Sequence, residues 1–217
     1  MRKEKDAYHH GQLAESLLDA VDEIASKFGL EAVTLRACAK LVGVAPSAAF
    51  RHYADKRTLM TAFATRALCQ LFSRMEQARN EAANQGEQAF PVVAMAYIAF
   101  ALDKPAFFRA MWREEGIYIN DKHYVDASQR LNHYLQRGFA NTIADKDPDS
   151  LSPQELLAWS SVHGLAGLFV ENALGQGLGR AHKLQQARAM VRALEPVFGL
   201  SNVLTQSPGS DTSVQSC

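Results

Sequence analysis

Between Thr34 and Arg57 five basic residues, Arg36, Lys40, Arg51, Lys56 and Arg57, stand against one acid, Asp55. Residues 1–10 add one more positive charge, Arg2, Lys3 and Lys5 against Glu4 and Asp6. The whole chain balances 23 Lys and Arg against 23 Asp and Glu, so the other 183 residues carry a net charge of minus five. A zero sum therefore hides a positive end, which is the electrostatic footprint a polyanion such as DNA needs. A second set lies further along: Phe100, Phe107, Phe108, Met111, Trp112, Tyr134, Trp159, His163 and Phe169. Aromatics with one or two polar groups are the usual lining of a small-molecule site. Catalytic chemistry finds less support. His123, Asp126 and His133 fall in one helical run, but His133 lies about three turns from His123, too far to share a metal without another ligand. No GxSxG, HExxH or Walker pattern occurs, and Gly175-Gln176-Gly177-Leu178-Gly179 lacks the Lys-Ser/Thr and the preceding strand of a phosphate loop. No enzyme activity and no cofactor are expected.

The elements that must position these residues are helical throughout. Leu13, Leu17, Val21, Ile24 and Phe28 form the stripe of an amphipathic helix ending at Gly29. Thr34 precedes a short helix over LRACAKLV, stopped by Gly43, and Pro46 opens a third helix to about Tyr53. Short helix, tight turn and short helix, with a longer helix on each side, is the layout of a helix-turn-helix. Asp55 can cap a fourth helix reaching about Gln85, some ~45 Å long at 1.5 Å per residue and able to connect two domains. Helices follow over 90–102 and 106–112, then one marked by Tyr124, Ala127, Leu131, Leu135 and Phe139. DKDPDSLSP reads as a loop. Ser152 with Glu155 is a capping-box pattern opening a helix through Leu174, and Leu184, Ala187, Val191, Leu194 and Phe198 mark the last helix. The polar tail from Ser201 is expected to be disordered.

With 47% apolar residues and 217 in all, the composition is that of a soluble globular protein of one large or two small domains. Cys38, Cys69 and Cys217 are odd in number and form no CxxC pair, which suggests neither disulfides nor zinc and fits a reducing cytoplasm. MRKEKDAYHHGQ begins basic without an apolar core, and no segment has about 18 uncharged apolar residues, so neither secretion nor membrane spanning is expected.

The run TLRACAKLVGVAPSAAFRHYADKRTLM, preceded by YHHGQLAESLLDAVDEIASKFG, resembles the TetR family of bacterial transcription regulators over about the first 65 residues. AWSSVHGLAGLFV, and more loosely YIAFALDKPAFFRAM, resemble the branch whose C-terminal domain carries a Trp-His-Gly signature. The resemblance implies an all-α protein. Its N-terminal three-helix helix-turn-helix domain with an arm (1–55) is joined by a long helix to a helical regulatory, ligand-binding and dimerisation domain (56–200), with a disordered tail (201–217).

Carried onto matching positions, the resemblance gives Thr34 the cap of the second helix and, with Arg36, a phosphate contact at that helix start. Pro46, Ser47 and Ala48 would face base edges, with Ser47 able to donate or accept and the other two offering apolar contact to a thymine methyl. Arg51, His52, Tyr53 and Lys56 would meet phosphates, Arg51 alternatively a guanine edge. Phe50 falls at a contact position, but it stands where the family usually has Tyr and so lacks a hydroxyl for phosphate. Ala45 stands where Ser or Thr is common, which leaves the third helix without a side-chain cap.

In the second domain Phe107, Phe108, Met111, Trp112, Trp159 and His163 are the expected effector contacts. Ser160, Gly164 and Gly167 allow close approach of a neighbouring helix, and the resemblance implies a four-helix dimer interface there. A homodimer places two recognition helices roughly 34 Å apart, matching successive major grooves. The expected function is a DNA-binding transcriptional regulator, in all a cytoplasmic repressor released from a double-stranded operator by a small, largely apolar effector. The alternative is a helical ligand-binding or interaction protein without DNA binding.

Overall fold

In the computed structural model of the chain the described residues are 2–137, 152–174 and 177–198, with side chains described over 12–132, at 135, and over 152–174 and 177–196. The loop expected in DKDPDSLSP, residues 175 and 176, the side chains of His133 and Tyr134, Phe139, Cys217 and the tail lie wholly or largely outside them.

Helix α1 spans Arg2–Phe28. It starts well before Leu13, because the segment read as an arm contains no proline and its backbone continues the helix. Gly29, at φ 84°, turns the chain into a 3-10 turn, Leu30–Ala32. Helix α2, Leu35–Val42, is capped by Thr34, whose side chain accepts the Ala37 N–H at 3.0 Å. It ends at Gly43, whose φ of 79° is left-handed backbone that a side chain would strain. Helix α3, Pro46–His52, has Ala45 at its N-cap and no side-chain cap there, as the sequence implies.

Helix α4, Lys56–Gln85, begins at Asp55, which accepts the Thr58 N–H at 2.6 Å. It packs on α5 (Ala89–Asp103), α6 (Pro105–Met111) and α7 (Lys122–Arg137). Pro105 starts α6 because a proline lacks only an N–H that would be unpaired there, and the chain bends by 107° between α5 and α6. Helix α5 is the central element, packed on α4 and on the last two helices, α8 (Pro153–Val170) and α9 (Arg180–Leu194). The capping box of Ser152 and Glu155 opens α8. Among the described residues no single helix is long and apolar enough to cross a membrane.

Helix α8 stops at Val170, four residues before the expected Leu174. Its last carbonyls are taken by cations: Lys183 donates to Phe169 O at 2.9 Å and Arg109 to Val170 O at 3.0 Å. Asn172, at φ 53°, then turns the chain away, and its side chain accepts from Lys183. The last helix closes as a 3-10 turn over Glu195–Phe198 around Pro196. One apolar core runs from Leu17 and Val21 on α1 through Phe63 on α4 to Phe169 and Val191, so packing is continuous across residue 55. Polar ties reinforce that junction: Arg66 to Asp19 at 2.6 Å and Lys104 to Asp22 at 2.9 Å.

Candidate functional site

Helices α1, α2 and α3 pack on one another, and α3 turns Ala49 inward, fully buried. Pro46, Ser47, Phe50 and Arg51 consequently face outward and are exposed, with Ala48 and His52 beside them. Thr34 and Arg36, at the start of α2, are exposed as well. Phe50 is 45% exposed, a large apolar ring left uncovered on the same short helix as Arg51. This outer face is the surface that a helix-turn-helix offers to a major groove.

One expected contact, Tyr53, is corrected. Tyr53 is only 8% exposed, and its hydroxyl donates to the Ala14 carbonyl of α1 at 3.3 Å. Burial pushes this phenol up to about 12. Two residues after Arg51 the helix has turned far enough that position 53 points into the domain, so Tyr53 is a packing residue. Lys56 is exposed, and its ammonium donates to Glu31 O at 3.1 Å and Leu30 O at 3.5 Å, which ties α4 to the 3-10 turn.

The segment between α6 and α7 is strapped to the start of α4. Arg57 donates to Ile117 O at 2.8 Å and lies over the Tyr118 ring at 4.4 Å. The Tyr118 N–H donates to Thr61 Oγ1 at 2.8 Å, and its hydroxyl donates to Asp55 Oδ2 at 2.9 Å. The Thr58 backbone N–H, then Tyr118, then the Thr58 hydroxyl hold the Asp55 carboxyl below the usual carboxylate range. Arg113 pairs with Glu31 at 2.6 Å. The strap therefore grips the cap and first turns of α4, the helix that follows α3.

Its other end is Trp112, in the aromatic cluster. His163 on α8 stacks on Trp159 (ring centres 5.4 Å, 25°) and has Trp112 edge-on at 4.9 Å and Phe108 at 5.5 Å. Tyr97 completes it from α5, with its hydroxyl 2.8 Å from His163 Nδ1. The sequence reading omits Tyr97, although a lone hydroxyl in the apolar run AFPVVAMAYIAFAL is a signal, since a buried Tyr O–H needs a partner. Burial drives the Tyr97 phenol far above its ordinary value, and burial lowers that of the His163 imidazole.

Phe107 does not belong to this group. Successive helical residues point about 100° apart, so Phe107 turns from Phe108 into the core against Phe63 at 4.5 Å and Phe100 at 6.4 Å. Met111 is buried in the core as well. Of the six expected effector contacts, Phe108, Trp112, Trp159 and His163 come together. Among the described residues no group of three or more His, Cys, Asp or Glu is placed to hold a metal ion.

Residues 90–194 match the family model described as "Tetracyclin repressor-like, C-terminal domain". The HTH-type transcriptional regulator YobS of Bacillus subtilis (strain 168) is 26% identical over 188 residues, covering 75% of this chain and 95% of that one. A protein of unknown function from Rhodococcus sp. RHA1 superposes with a TM-score of 0.68 at 26% identity, over 88% of this chain and 95% of that one. The TetR family regulator PfmR from Thermus thermophilus shares the fold, with a TM-score of 0.60 at 14% identity over 82% and 92% of the two chains. With a helix-turn-helix in front of a domain that matches a tetracycline-repressor-like model over residues 90–194, the chain is a DNA-binding transcriptional regulator that is similar to the TetR family.

Proposed function

We propose that the protein is a dimeric repressor that binds a double-stranded DNA operator through α3 and is released by a small, largely apolar effector. The observation that carries this is the exposed outer face of α3, Pro46, Ser47 and Arg51, set on a buried Ala49. Thr34 and Arg36 flank it as phosphate contacts, and Phe50 as an apolar one. Residues 1–55 serve as the DNA-binding unit and 56–200 as the regulatory unit, in a cytoplasmic protein of the Trp-His-Gly branch, with Trp159, His163 and Gly164 as the signature.

The dimer reading draws on α8. Leu157, Gly164 and Leu168 recur at seven and four residues, a single helical face, and all three are exposed in one chain. Covering that face with a second copy removes two exposed leucines from water. For release, an effector at Phe108, Trp112, Trp159 and His163 shifts Trp112, and the strap carries the shift to Asp55 and Arg57. A differential affinity of ~1–3 kcal/mol between the two dimer geometries is the usual scale of such coupling.

A mobility-shift assay with the promoter region beside the protein's own gene tests the reading. A specific complex that weakens steeply with salt is the expected result. Absence of any such complex would leave a helical ligand-binding protein without DNA binding, a reading favoured by the missing cap at Ala45 and the missing hydroxyl at Phe50.

A further inference from the structure

We propose that the cluster around His163 is a ring-binding slot closed by the protein's own imidazole, and that its ligand is a planar nitrogen heteroaromatic carrying an in-plane acceptor. This rests on the reading of that cluster as the effector site and names the chemical class it takes.

The slot is defined by its present occupant. The His163 ring lies nearly parallel to Trp159, with Trp112 edge-on and Phe108 tilted against it. Tyr97 and Trp159 are themselves edge to face at 5.5 Å, as are Tyr97 and Phe108 at 6.0 Å, so the walls support one another without the imidazole. Walls of this kind favour flat rings through stacked and edge-to-face contacts, and offer little to a branched aliphatic chain.

Polarity inside the slot is as specific as its shape. Tyr97 is 1% exposed, and its hydroxyl lies 2.8 Å from His163 Nδ1. A buried phenol proton needs an acceptor, and in the proposed slot Nδ1 supplies it, with the imidazole proton on Nε2. A ligand entering here must replace that acceptor, because a buried hydroxyl left without one loses a hydrogen bond. A flat ring with an sp2 nitrogen in its plane does so; indole, whose nitrogen only donates, and a fatty acid, which is not flat, do not.

A way in exists. Trp112 is 38% exposed and His163 only half-buried, so both can swing outward while Tyr97, Phe108 and Trp159 stay in place. The imidazole acts as a built-in competitor, and the ligand's apparent affinity is reduced by the fraction of molecules in which the slot is closed. Trp112 opens the strap that leads to Asp55, so exchange of the imidazole for a ligand is felt at the helix after α3.

Both tryptophans of the chain are walls of the slot, so intrinsic tryptophan fluorescence reports on it alone. The full-length protein is titrated with benzimidazole, indole and octanoate. Benzimidazole is expected to give a saturable fluorescence change, with indole and octanoate at least about tenfold weaker, a difference of about 1.4 kcal/mol. His163→Ala should tighten benzimidazole by about tenfold or more, and Tyr97→Phe should erase the preference for benzimidazole over indole. No saturable change with benzimidazole in either wild type or His163→Ala overturns the proposal, as does octanoate binding equally well. If His163→Ala does not fold, the wild-type and Tyr97→Phe titrations decide alone. Saturable, Tyr97-dependent binding that fails to release operator DNA supports the slot and sinks only the effector reading on which it rests.

Discussion

The hydroxyl of Tyr118 donates to Asp55 Oδ2 at 2.9 Å, joining the loop after α6 to the residue that caps α4. Asp55 also receives the Thr58 N–H and the Thr58 hydroxyl, so one carboxylate both starts the connecting helix and anchors the strap. Removing the phenol oxygen alone, in Tyr118→Phe, keeps the ring over Arg57. The Asp55 carboxyl should then titrate higher than in wild type, yet still below an ordinary Asp, because its largest stabiliser, the Thr58 N–H, is untouched. Side-chain carboxyl NMR through the titration checks this, and an unchanged Asp55 would show that the strap does not hold the cap.

Helix capping gives a second, quantitative test. Thr34→Ala removes an acceptor that α2 uses and should cost about 1 kcal/mol, whereas Ala45→Ser supplies one that α3 lacks and should add up to about 1 kcal/mol. Urea midpoints at constant m-value measure both. Opposite signs are expected, and a destabilising Ala45→Ser would mean that the bend before Pro46 cannot accept a capping hydroxyl.

Adjacent aromatics should behave very differently. Phe107→Ala opens a cavity in the core and should cost about 3–5 kcal/mol. Trp112→Ala should cost clearly less, since that side chain is partly in water, while removing a wall of the slot. Denaturant unfolding of the two variants separates them, and equal losses would place both residues in the same core.

How these roles can be read from sequence differs by element. Helix ends are legible wherever a cap is chemical: Thr34, Gly43, Asp55 and Ser152 each sit where a side-chain oxygen or a left-handed turn is needed. The outer face of α3 is legible from the spacing about Ala49. Tertiary pairings are not. Periodicity says which face of a helix is apolar but not which neighbour covers it, so in sequence Phe107 and Phe108 look alike and Tyr53 looks like Arg51. The strap has no repeating pattern at all; Arg57 and Tyr118 meet only because the chain bends at Pro105 and returns.

The imidazole in the slot gives the fold a pH dependence of known sign. Burial lowers the His163 pKa below its ordinary 6.5, so the unfolded chain takes up this proton before the native chain does. Stability is therefore full above about pH 6.5 and falls as pH drops through that value toward the native one. Asp55 and Asp103 act lower, since Thr58 and Tyr118 at the first, and Arg180 and Arg74 outweighing burial at the second, hold both below the carboxylate range. Urea unfolding at about pH 7.5 and about pH 5.5, either side of the ordinary imidazole value, should show a smaller loss in His163→Gln than in wild type. An identical loss would assign the slope to other groups.

At the proposed DNA face, Arg51→Ala should lower the salt slope of operator binding by about one and weaken binding to all sequences if its guanidinium meets phosphate. Tyr53→Phe should leave that slope unchanged and cost about 0.5–1.5 kcal/mol of folding stability, the value of its bond to Ala14. Fluorescence anisotropy of a labelled duplex across a salt series distinguishes the two. A change of slope in Tyr53→Phe would return the phenol to the interface.

The claim that α3 of a dimer reads an operator is tested most directly by footprinting the full-length protein on the promoter region beside its gene. Two protected half-sites on one face of the duplex, about 34 Å or a multiple of that apart, are predicted, and they should vanish with Ser47 and Arg51 both replaced by Ala. Uniform protection that ignores sequence and survives those replacements, or no protection at low salt, would contradict it.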